Sequence, residues 1–155
     1  MKKHPYITGF ITGALFAASA VTIGAAARDF MQEQRNIDIA IEFYDLLLNQ
    51  KDWDAAQQYM GSRYIQHNPN APDGFEGIKA HIDMLRREFP QNRGEIKHIF
   101  SNDDLVALHI HNKRSPELRG NAVVDMFRIE DGKVVEHWDV VQAIPEKPLN
   151  DNTMF

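Results

Sequence analysis

The hydrophobic pattern of the chain changes period once, at Gly94, and that change limits the fold more than any other feature. Before it, apolar residues return every three or four positions. Phe30, Ile37, Ile41, Tyr44, Leu47 and Leu48 form one run, Trp53, Ala56 and Tyr59 or Met60 a second, and Ile78, Ile82, Leu85 and Phe89 a third. That spacing keeps one face of an α-helix apolar. It predicts a long helix over 29–49, a short helix capped by Asp52 and ended by Gly61, and a third helix that stops before Pro90. After Gly94 every second residue is apolar, in "EIKHIFSN", "LVALHIHN", "GNAVVDMFRIE" and "KVVEHWDVVQAI", which predicts four strands. Asp131-Gly132 suits a type I′ turn, so 119–130 and 133–143 are expected to pair antiparallel. Helices first and strands afterwards imply an α+β fold, its helices packed on one face of a curved antiparallel sheet.

A chain of 155 residues with 43% hydrophobic content has room for one enclosed core. Its net charge of -5, without a cluster of Lys and Arg, leaves no footprint for a phosphate backbone, so nucleic acid is not an expected partner. Without cysteine there is no thiolate nucleophile, no disulfide and no Cys-ligated metal. Residues 1–27 start with Lys2 and Lys3, run uncharged from Pro5 to Ala27 and pass small-residue sites at "ASA" and "AAA", the layout of a signal peptide or, uncleaved, of an inner-membrane anchor. The expectation is an exported, periplasmic or secreted protein. It has one domain over 30–145, an extension over 146–155, and contact with a membrane only through that first segment.

Side-chain alternation along a strand sorts the candidate chemistry. In "LVALHIHN", His109 and His111 share one face, opposite Val106, Leu108 and Ile110. In "NAVVDMFRIE", Asp125 stands in a row with Val123, Phe127 and Ile129. A carboxylate in an apolar row must find hydrogen-bond partners or stay protonated, which tunes it for proton transfer. In the last strand, Trp138 shares a face with Glu136 and Val140, opposite His137 and Asp139. Alternation does not say which set faces inward; the bulk of Trp138 favours its own side, leaving His137 and Asp139 at the rim or in solvent. His4, His81 and His98 are assigned to the surface. "YIQHNPNAPDG" has the turn chemistry of Asn68-Pro69 and Pro72-Asp73-Gly74, and turn geometry alone accounts for most of its composition.

Several ordered stretches, "YIQHNPNAPDGFEGIKAH", "VALHIHNKR", "AVVDMFRIEDGKVVEHWDVVQAIPEKP" and "NDNTMF", are together similar to the SnoaL-like polyketide cyclase family, in the branch described as predicted aldol-condensation enzymes. The resemblance covers residues 33–155 and implies the cone-shaped fold of the nuclear transport factor 2-like superfamily around a deep pocket. It implies Asp125 as general acid/base, assisted by His111, with His109 as the other candidate. His67, Asn68, His109 and Trp138 are implied as substrate-binding groups. It further implies a homodimer and a small-molecule substrate, with no metal or organic cofactor. On these expectations the chain moves a proton next to a carbonyl, in an aldol cyclisation or an isomerisation. The alternatives are a non-catalytic periplasmic protein that binds a small ligand, and an enzyme whose zinc or iron is held by His109, His111, His67 and Asp125.

Overall fold

The computed structural model describes residues 29–155; the segment read as a signal peptide or anchor, and His4 with it, lie outside the described residues. Helix α1 (Phe30–Tyr44) starts where the Asp29 carboxylate accepts the backbone N–H groups of Met31 and Gln32. Its last turns widen into a π-helical segment, Asp45–Gln50. A wider turn of this kind shifts the side-chain stripe, and Tyr44, Leu47 and Leu48 all reach one cavity wall. Helix α2 (Trp53–Gln57) is capped as expected, with Asp52 accepting the Ala55 N–H. Helix α3 (Gly74–Glu88) buries Ile78, Ile82 and Leu85 and ends before Pro90.

One strand was not expected. Residues assigned to the end of a helix and to a loop form β1 (Met60–Gln66). Its apolar signal is thin, because Ser62 and Arg63 face solvent and only Met60 and Tyr64 are buried. The other four strands lie where the period-two pattern puts them: β2 (Arg93–Asn102), β3 (Leu105–Lys113), β4 (Asn121–Glu130) and β5 (Lys133–Ala143). The sheet order is β1-β5-β4-β3-β2, with β1 parallel to β5 and the remaining pairs antiparallel. Asp131 and Gly132 both have positive φ, 49° and 73°, as a type I′ turn requires, so the β4–β5 hairpin follows the prediction.

The helices cover one face of this sheet. Val106, Leu108 and Ile110 of β3 and Phe127 and Ile129 of β4 meet Phe43, Tyr44, Leu47, Ile78 and Ile82 in the core. Phe43 and Phe127 pack edge to face with centroids 5.6 Å apart, a favoured aromatic geometry. The α+β fold of helices on a curved sheet is thus the observed architecture. The C-terminal extension returns over the opposite face of the sheet, where Phe155 lies on His109 and His111 with ring centroids 5.2 and 4.7 Å apart. None of the described helices is long and apolar enough to cross a membrane.

Candidate functional site

β4 is the middle strand, so Asp125 has a neighbour on each side, Leu108 on β3 and Asp139 on β5. Leu108 belongs to the helix-covered face, and Asp125 shares that face at 5% exposure. Two residues before Asp139, on the same face, His137 sets Nε2 3.1 Å from Asp125 Oδ1 and is 8% exposed. The Asp125, His137 and Asp139 ligand atoms all lie within 4.8 Å of one another.

The protonation of His137 follows from its other nitrogen. The backbone N–H of Asn68 donates to Gln66 Oε1 at 2.9 Å, which fixes that atom as an acceptor. His137 Nδ1 lies 2.9 Å from the same oxygen, so Nδ1 carries a hydrogen and donates it. A single proton then occupies the contact between Nε2 and Asp125, either as a neutral pair or as an imidazolium facing a carboxylate. Burial pushes the Asp125 carboxyl above its ordinary range, against the opposing bond and charge of His137, and the nearby Asp139 adds to the rise.

The loop after β1 is built to aim one side chain inward. Asn68 Oδ1 accepts the Asn70 N–H at 2.8 Å, which turns Nδ2 toward Asp139 Oδ2, also at 2.8 Å. His67, its neighbour, points the other way. It stacks flat on Trp138, with centroids 4.6 Å apart and planes 4° from parallel, and contacts Glu136 Oε1 at 2.8 Å. Arg128 completes this outer group, with its guanidinium over Trp138 and Nε donating to Glu136 at 2.7 Å. Partial burial would raise Glu136, but the bonds from Arg128 and His67 hold it below its usual range.

A cavity of about 90 Å³ lies between the helices and the sheet. Asn68, His81, His137 and Asp139 line it along with Phe43, Tyr44, Leu47, Leu48, Tyr64, Ile78 and Phe127. Asp125 stands behind His137 and is not part of that lining. Burial pushes the Tyr44 and Tyr64 hydroxyls above their ordinary range, and the Asp125 charge pushes the same way, so both remain hydrogen donors. His81 is held below its ordinary 6.5, first by burial and then by the charge of Arg114, which keeps it a neutral imidazole at pH 7. A wider groove of about 860 Å³ lies on the other face of the sheet, lined by Lys97, His98, His111 and the C-terminal extension, and it holds no carboxylate side chain.

Several expectations are therefore corrected. His111 and His109 project from the face opposite Asp125, because strand alternation separates them from Leu108, the residue paired with Asp125. Both serve as a seat for Phe155, and His111 Nε2 is 2.7 Å from the Arg119 carbonyl. His67 and Trp138 lie on that outer face as well, so of the four residues implied as substrate-binding only Asn68 reaches the cavity. His137 and Asp139, expected at the rim or in solvent, are the inward set, and His81, expected at the surface, lines the cavity. The metal set of His109, His111, His67 and Asp125 is not assembled; among the described residues, Asp125, His137 and Asp139 are the group close enough to share an ion. Within-strand alternation assigned the faces of β3 and β4 correctly, but the partner of Asp125 came from the strand whose facing alternation left open.

The family model for the SnoaL-like polyketide cyclases matches residues 38–146. No curated protein sequence matches the chain significantly. A candidate SnoaL-like polyketide cyclase from Jannaschia superposes with a TM-score of 0.60 at 20% identity, over 79% of this chain and 99% of that one. A candidate polyketide cyclase from Bacillus cereus gives 0.60 at 20% identity, over 69% and 74%. An uncharacterised cystatin-fold protein from Novosphingobium aromaticivorans gives 0.59 at 23% identity, over 68% and 97%. At these identities the superpositions speak for the fold.

Proposed function

Because the chain belongs to the SnoaL-like polyketide cyclase family, we propose that it is a cofactor-free acid/base enzyme that moves a proton next to a carbonyl. The observation that carries this is the buried Asp125, held on a histidine of fixed tautomer and paired across the strand with a second carboxylate at the cavity wall.

In the proposed reaction the Asp125–Asp139 pair takes and returns the proton, with Asp139 as the member that reaches the cavity. An α-C–H of the substrate gives its proton to a carboxylate oxygen, and the C–H electron pair moves into the enolate. The enolate oxygen accepts hydrogen bonds from neutral His81 and from the second N–H of Asn68 Nδ2, whose first is committed to Asp139. Asp125 and His137, sharing one proton, take up the charge change behind the site. Collapse of the enolate onto a second carbonyl gives an aldol ring closure, and return of the proton to a different atom gives an isomer.

The test is deuterium exchange at the α-carbon of ketones in D2O, with purified protein and with Asp125→Asn and Asp139→Asn. Either substitution keeps the shape and removes a base, so exchange falls by roughly 10²- to 10⁴-fold. Exchange that persists at the wild-type rate in both variants rules out the mechanism. Ligands that bind without exchanging would assign a small-ligand-binding role instead. Dialysis against a chelator leaves the exchange rate unchanged if the chemistry is cofactor-free. The layout of residues 1–27 supports export, which would put the reaction outside the cytoplasm. The exposure of Phe100 and Val140 on the outer sheet face supports a homodimer.

A further inference from the structure

The size and charge of the cavity restrict what reacts there. Its volume is about 90 Å³, whereas pockets for drug-sized ligands occupy roughly 300–1,000 Å³. Since a water takes about 30 Å³ and benzene fits a dry cavity of about 150 Å³, the space accepts only a small molecule. The walls have little freedom to retreat: Phe43, Tyr44, Leu47 and Phe127 are core residues at 0–2% exposure, and protein cores are packed as densely as organic crystals. Leu48 and Ala71, both only half-buried, are the softer parts of the lining.

The charge acts in the same direction. None of the lining residues is Lys or Arg. Asp139 faces the cavity, Asp125 lies behind it, and the proton that His137 shares is already committed to Asp125. A carboxylate or phosphate on the substrate would enter beside a like charge, a repulsion that a low-dielectric site amplifies; Arg114, whose charge reaches His81, lies over the Phe89 ring and outside the lining. A neutral molecule meets an apolar wall on one side and the N–H groups of His81 and Asn68 on the other.

We propose that the site takes a small, uncharged carbonyl compound of about three to five non-hydrogen atoms, a short aliphatic or small cyclic ketone or aldehyde, and excludes fused-ring and anionic carbonyl compounds. The chemistry rests on the acid/base function proposed above; the size and charge limits do not. Butanone, cyclobutanone, 1-tetralone and pyruvate serve as probes, with binding followed by saturation-transfer NMR and turnover by α-deuterium exchange. Butanone and cyclobutanone bind and exchange, while 1-tetralone and pyruvate do neither. Leu48→Ala, which widens the cavity, admits 1-tetralone, and Ala71→Leu, which fills it, weakens cyclobutanone binding by about tenfold or more. Binding of 1-tetralone or pyruvate as tight as that of cyclobutanone overturns the proposal, and so does a lack of binding by both small ketones. Small ketones that bind without exchanging uphold the size and charge limits and sink the acid/base function alone.

Discussion

Asp125 is an acid buried on the helix-covered face of the sheet, in contact with His137. Its carboxyl is raised by burial above its ordinary 3.8, so the fold favours the protonated form. The stability this group contributes is fully present below the unfolded value and is lost as pH rises through the folded one. At neutral pH a neutral isostere removes that penalty. Asn at position 125 can still donate to the Nε2 lone pair of a His137 whose Nδ1–H is bonded to Gln66. The expected outcome is that Asp125→Asn unfolds at a higher temperature than wild type at pH 7, with the difference closing as both are titrated toward pH 4. A variant that is less stable at pH 7 and stays so at pH 4 would mean that the carboxylate is structural. His81 works in the opposite sense: held below 6.5, it contributes stability above that value and loses it as pH falls. Low pH therefore favours Asp125 and penalises His81, and the acid limb of any activity profile contains both groups.

At the scale of elements, the sequence carried the helices and four of the strands because each buries a regular stripe, and a stripe is visible in one dimension. What it did not carry depends on pairing in three. β1 was hidden because an edge strand with polar Ser62 and Arg63 has little period to show. The facing of β5 was misjudged because Trp138, the bulkiest side chain in the strand, finds its cover between His67 and Arg128 on the outer face and not in the core. One close approach fixes how α1 sits on the sheet. The Tyr44 hydroxyl lies directly on Gly94, where a Cβ would collide with it and stand 3.0 Å from Ile110 Cγ2. Glycine is required there by space, at a position whose only sequence mark was the change of period. Gly94→Ala should destabilise the fold by about 1–3 kcal/mol, the usual cost of overpacking, measured by urea denaturation. Tyr44→Phe in the same background deletes the colliding oxygen and should recover part of the loss. If the two substitutions are additive, the hydroxyl is not what excludes the side chain.

For the whole molecule, the two faces of the sheet have separate tasks. The helix-covered face holds Asp125, His137 and Asp139, while the outer face seats the C-terminal extension over His109 and His111. Another cross-strand row on that face runs through Phe100, Ala107 and Met126 and ends at Trp138, which His67 and Arg128 cover. Phe100 is 65% exposed, and Val140, beside that row, is 64% exposed. Large apolar groups set together on an open sheet face mark an association surface more often than single exposed ones do. A second copy of the chain, related by a twofold axis, would cover both residues, and because that contact lies on the far side of the sheet it leaves the cavity intact. Sedimentation equilibrium should give a dimer for residues 29–155, and Phe100→Lys combined with Val140→Lys should give a monomer with ketone binding unchanged. A wild-type monomer across the micromolar range would refute the dimer. A double variant that becomes monomeric and also loses ligand would mean that the two faces are coupled through β4 and β5, with the outer contact holding the register that brings Asp139 opposite Asp125.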